Sequence, residues 1–175
     1  VLAKSKEHEV PITLRFQELR DEQMQPAHGE LPFFLQENTV IQFLQYPYEQ
    51  VVAENFVEIL EKMELINDLS CYEEIYGILK KEALDGRKVE QQIIEIGTKR
   101  ELFFGKDRLD TVLHYKDYTY MKRKWTAYLK RERKKEPDWV EVMTLLEAFF
   151  PPVWRAIIRD EIFIGDWMPE LCRFL

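Results

Sequence analysis

The amino-acid sequence predicts a mostly α fold: a single-domain bundle of about six helices, with one short β-hairpin near 92–104 as the local alternative. Three observations point there. Six glycines in 175 residues are too few to turn the many strands of an all-β chain. From Pro47 to Ile164 the apolar residues recur at helical spacing, i, i+3, i+4 and i+7. Hydrophobic residues make up 46% of the chain and aromatics 13%, enough for one core and too much for a disordered chain.

The polar residues 1–30 read as an N-terminal arm and 31–175 as the helical domain. Val10, Ile12, Leu14 and Phe16 alternate with Pro11, Thr13 and Arg15, the pattern of a short strand or extended arm. Pro26 and His28-Gly29 interrupt it, and the apolar run Leu31–Leu35 should bury. A short helix is expected over Thr39–Gln45, stopping before Pro47 because the residue preceding a proline disfavours helical angles.

The first strong helix carries Ala53, Phe56, Val57, Leu60 and Met63 on one stripe. A second begins at Ser70, which with Glu73 spells a capping box. Its apolar face is Tyr72, Ile75, Tyr76, Leu79 and Ala83, and Asp85-Gly86 is expected to end it. Arg87–Gly105 supports two readings: a helix to Ile96, or a hairpin of Gln92–Ile96 and Arg100–Phe104 turning at Gly97-Thr98-Lys99. With its flanking helices such a hairpin would resemble a winged-helix module. Arg108–Lys135 gives one or two helices. Pro137-Asp138 starts another with Val142, Leu145, Leu146 and Phe149 inside, and Pro151-Pro152 is expected to end it. Val153–Ile164 forms a further helix, and Gly165-Asp166 opens a closing turn. Phe56, Leu60, Ile75, Leu79, Leu146, Phe149 and Trp154 are the expected core.

Charge is distributed unevenly. Tyr115–Lys135 holds nine cations and two acids, in a chain whose formal net charge is −7. Lys122, Arg123, Lys124, Lys130, Arg131, Arg133, Lys134 and Lys135 are therefore the candidate binding residues. On a single helix, Tyr118, Met121, Trp125, Tyr128 and Leu129 would share one apolar face, with Arg123, Lys130, Arg131 and Lys134 opposite and Lys122, Lys124, Arg133 and Lys135 flanking. The stretch Glu49–Glu74 is its complement, with eight acids and one base, Lys62. Such polarity means that the basic element either folds against the chain's own acids or meets an anionic partner.

Several chemistries lack their signatures. No glycines cluster as a phosphate-cradling loop requires. Ser5 and Ser70 are the only serines, and neither sits in a nucleophile elbow. Zinc spacings are absent, and none of His8, His28 and His114 follows a glutamate as bundle metal sites demand. No metal or cofactor is expected. Cys71 and Cys172 are expected to be reduced, buried thiols. With no export signal and no membrane-length apolar run, an intracellular, cytoplasmic place is expected.

Arg108 and His114 stand six apart on a predicted helix. This spacing resembles the motif of the helical HEPN ribonucleases. The resemblance implies acid–base work for His114 and steadying of phosphate charge by Arg108. A second, ten-residue likeness joins Glu101–Asp110 to the Phe-Gly-x-Asp-Arg-Leu segment of kappa-class glutathione transferases and related isomerases. It implies no function without that fold's N-terminal strand and loop. The residues as a whole favour a non-catalytic protein-interaction module: an adaptor, regulatory subunit or assembly factor that binds a protein or itself. The alternative is nucleic-acid binding through 115–135, with or without HEPN-like ribonuclease activity.

Overall fold

The computed structural model describes residues 2–5, 8–11, 27–32 and 40–175. The chain divides into two compact units, 1–46 and 47–175.

In the first unit β1 (Leu2–Ser5) pairs antiparallel with β2 (His8–Pro11), and β3 (Ala27–Pro32) with β4 (Val40–Gln45). Val10 and Pro11 of the expected alternation lie in β2, while 12–16 fall outside the described residues, as do 33–35 of the apolar run. The helix expected over Thr39–Gln45 is corrected to the strand β4. A segment this short cannot nucleate a helix alone. Its β-branched and aromatic residues suit a strand, and β3 supplies hydrogen-bonding partners along its whole length.

The second unit is the helical bundle. It contains α1 (Tyr48–Lys62), α2 (Ser70–Leu79), the short strand β5 (Leu84–Asp85) and α3 (Gly86–Lys99). α4 (Lys106–His114), α5 (Thr119–Arg131) and α6 (Trp139–Arg159) follow, with strands β6 (Asp166–Met168) and β7 (Arg173–Phe174) last. α1 packs chiefly on α3 and α2, and α6 touches α2, α3, α4 and α5. β6 is the centre of a small antiparallel sheet, with Trp167 opposite both Leu84 and Phe174. All seven expected core residues are buried. Phe56 of α1 stacks on Phe150 of α6 with centroids 3.6 Å apart, and meets Trp154 edge-on. Phe149 carries this aromatic cluster to Trp167 and Phe174 of the sheet. The Trp167 indole N–H donates to the Leu79 carbonyl at 2.8 Å and fastens the sheet to the end of α2.

Four local expectations are corrected. The capping box at Ser70 and Glu73 does not form: Asp68 accepts the Ser70 N–H at 3.0 Å, and Glu73 is engaged elsewhere. Asp85-Gly86 begins α3 instead of ending α2, because Asp85 accepts the Arg87 and Lys88 amides at 3.0 and 3.2 Å. Gly86 is required there by proximity, since a Cβ would stand 2.5 Å from the Gly165 carbonyl oxygen. The hairpin alternative at 92–104 is replaced by α3, which runs on to Lys99. Gly97 is not a hairpin turn; it leaves room for the Phe104 ring, which a Cβ would meet at 2.5 Å. Finally, Pro151-Pro152 lies inside α6. Buried Phe149, Phe150, Val153 and Trp154 hold the helix against the core on both sides of the prolines, so packing outweighs the missing amides. The segment after Arg159 leaves the helix, with Ile162 and Ile164 exposed.

Candidate binding surface

The 21-residue basic stretch is not one helix. α4 ends at His114, turns carry the chain to Tyr118, and α5 occupies Thr119–Arg131. Met121, Trp125, Tyr128 and Leu129 form its buried face as their spacing predicts, but Tyr118 stands outside the helix and is exposed. Two backbone bonds close α5. The Arg133 N–H donates to Lys130 O at 3.2 Å and the Lys134 N–H to Leu129 O at 2.8 Å. Arg133 takes a left-handed conformation, φ 58°, in the place glycine usually fills in this motif. The reversal folds the following chain back along the helix it has just left.

This turn builds a trough. Lys122, Trp125, Thr126, Leu129 and Lys130 of α5, Lys134 and Lys135 beyond it, and Asp138, Trp139 and Val140 at the start of α6 line a cavity of about 540 Å³. Two buried indoles set its floor. The Trp125 N–H donates to Pro137 O and the Trp139 N–H to Tyr115 O, each at 2.8 Å, so the first ring braces the α5–α6 connection and the second ties the start of α6 to the α4–α5 turn. A second cavity of about 460 Å³ shares Asp138 and Val140 with the first and continues past Tyr76, Lys80, Thr144 and Cys172.

The eight candidate cations separate into distinct roles. Lys122, Lys130, Lys134 and Lys135 line the trough. Lys124 does not: its ammonium donates to the carbonyls of Glu64 and Ile66 and ties α5 to the turn that follows α1. Lys134 lies 2.5 Å from Glu73, and the Tyr128 hydroxyl donates to the other oxygen of that carboxylate. Arg131 pairs with its neighbour Glu132 and lies over the Tyr128 ring. Arg123 and Arg133 are exposed and do not line the trough.

The acidic stretch is consumed within the chain. Glu54 and Glu61 meet Arg100, Glu58 meets Lys62, and Glu64 accepts the Tyr115 hydroxyl at 2.7 Å. That hydroxyl holds the Glu64 carboxyl below the usual carboxylate range. Burial, reinforced by the carboxylate each faces, pushes the Tyr115 and Tyr128 hydroxyls well up.

Arg108 and His114 both lie on α4. Six positions on a helix are about 120° apart round its axis, so the two side chains diverge. The His114 Nδ1 contacts the Asp110 carbonyl at 2.6 Å. Among the described residues no group of three or more His, Cys, Asp or Glu is placed to hold a metal ion. Cys71 and Cys172 are both free thiols; Cys71 is buried, which pushes its thiol up, whereas Cys172 is half-exposed. No helix among the described residues is long and apolar enough to cross a membrane.

Asp138, Trp139 and Val140 were not legible as site residues. Their one signal was an exposed valine following a helix-capping aspartate, a combination common on any protein surface. Compared with known proteins, the chain matches no family model, no curated protein and no solved structure.

Proposed function

We propose that the protein is a non-catalytic protein-interaction module that holds a partner in the α5–α6 trough, as an adaptor, regulatory subunit or assembly factor would. The observation that carries this reading is the trough itself: four lysines around an apolar floor of Trp125, Leu129 and Trp139, with Val140 open to solvent at 43%. Apolar surface rimmed by charge is what protein interfaces bury. The indole bonds to Pro137 O and Tyr115 O keep it preformed, which lowers the cost of binding.

Nucleic-acid binding is the second reading. It is favoured by the exposed cations of α5 together with Tyr118 and Tyr120, which are about half exposed at its head. A photo-crosslinking residue at Val140 separates the two. In extract from its own cells the module should give adducts that resist nuclease and yield to protease. Adducts lost only to nuclease would sink the protein-binding reading.

A further inference from the structure

The trough has a positive rim that the chain's own acids do not complete. Lys130 and Lys135 form no ion pair among the described residues. Lys122 pairs at 3.5 Å with an Asp117 that is almost wholly exposed, a contact of little worth. Asp138 is the acid in the lining, and its carboxylate is occupied by the Glu141 N–H at 2.9 Å.

We infer that the occupant is an acidic peptide segment of a partner protein, with an apolar side chain between its carboxylates, and this inference rests on the protein-binding reading. The carboxylates meet the lysine rim and the apolar side chain covers Val140 and the edges of the indoles. Charge complementarity steers the encounter and fixes orientation. The acidic stretch Glu49–Glu74 of a second copy is a poor occupant, because Glu54, Glu58, Glu61, Glu64 and Glu73 already have partners within their own fold. A single-stranded nucleic acid is also a poor occupant. Trp125 is stacked on Tyr128 and tilted against Trp139, and Trp139 meets Tyr72, so the aromatic faces at the floor are engaged in the core. The exposed rings, Tyr118 and Tyr120, are not in the lining. Base stacking, the main sequence-independent source of affinity for single strands, has no platform there.

Fluorescence anisotropy of the whole chain tests this with four labelled probes. These are a short peptide of Glu pairs alternating with Phe, the same peptide with Ser for Phe, the same with Lys for Glu, and an oligothymidylate. The Glu/Phe peptide should bind best. K130E/K135E should weaken it about tenfold or more. V140D should do likewise, and an aspartate in the first turn of α6 is favourable for the helix, so the fold is kept. Thermal melts of both variants confirm that they fold. Equal binding of the Lys-containing peptide, unaffected by either variant, would overturn the acidic occupant and leave the protein-binding reading standing. Tighter binding of the oligothymidylate, lost in K130E/K135E, would overturn both.

Discussion

Glu73 and Lys134 stand 61 positions apart and meet at 2.5 Å, joining α2 to the turn that follows α5. The Tyr128 hydroxyl donates to the same carboxylate, also at 2.5 Å, so Glu73 gathers two groups that the sequence placed on opposite faces of one helix. One of the candidate binding lysines is therefore also part of the frame. Lys134→Glu should cost about 0.5–1 kcal/mol, the value of a partly exposed pair. Lys130→Glu and Lys135→Glu should each stay within about 0.5 kcal/mol. Urea denaturation of the three variants checks the contrast, and Glu73→Lys combined with Lys134→Glu should regain most of the loss. Equal effects at all three lysines would dissolve the distinction.

Four tyrosines should make the fold sensitive to alkali. Tyr76 is pushed up to about 12, by burial first and then by its bond to Glu141, and Tyr72, Tyr115 and Tyr128 are raised as well. An unfolded tyrosine titrates near pH ~10. The folded chain thus binds these protons more tightly, and their stabilising effect is complete below pH ~10. It is lost as pH rises from there through the folded values. Tyrosinate absorbance should climb together with loss of helical circular dichroism. Free titration of these side chains near pH ~10 with the helical signal intact would show the opposite.

The aromatic centre gives a test by truncation. Phe149 and Leu146 are almost completely buried, and neither has water to fall back on. Phe149→Ala and Leu146→Ala should each cost about 2–5 kcal/mol in chemical denaturation. A loss under about 0.5 kcal/mol at both would mean that α6 faces the core in a different register.

Two glycines should respond to alanine with opposite signs. At Gly86 the added methyl meets backbone, the Gly165 carbonyl, and a cost of about 1–3 kcal/mol is expected. At Gly77, inside α2, nothing lies within 4 Å of the added carbon, and Gly77→Ala should stabilise by about 0.4–1 kcal/mol. Melting temperatures of the pair suffice. A stable Gly86→Ala would show that the β6 end of the sheet moves freely away from α3.

The helices were legible where burial repeats at regular spacing. Phe56, Leu60, Ile75 and Leu79 needed no more than that to be placed in the core. The ends were harder to read. α3, α5 and α6 all close with a left-handed residue, and these are Glu101, Arg133 and Asp160, none of them glycine. A reading that waits for Gly at a helix end stops α3 short, at Ile96 before Gly97, and runs past Arg133 and Asp160, which is why 115–135 looked continuous. The prolines of α6 misled in the other direction, because local propensity says nothing about what packs on either side. The lysines of the trough were visible as charge, but their far wall was not. Val140 joins them through the α5–α6 turn, and no spacing in the sequence encodes that turn.

The proline pair in α6 also bears on what keeps that helix whole. Each proline inside a helix costs about 3 kcal/mol relative to alanine, so a free peptide spanning Trp139–Arg159 would fray into two halves. Its continuity is lent by α1, through Phe56 against Phe150 and Trp154. α6 therefore depends on tertiary packing, not on its own propensity, to stay continuous across the prolines. Loosening of that contact would divide α6 at Pro151-Pro152.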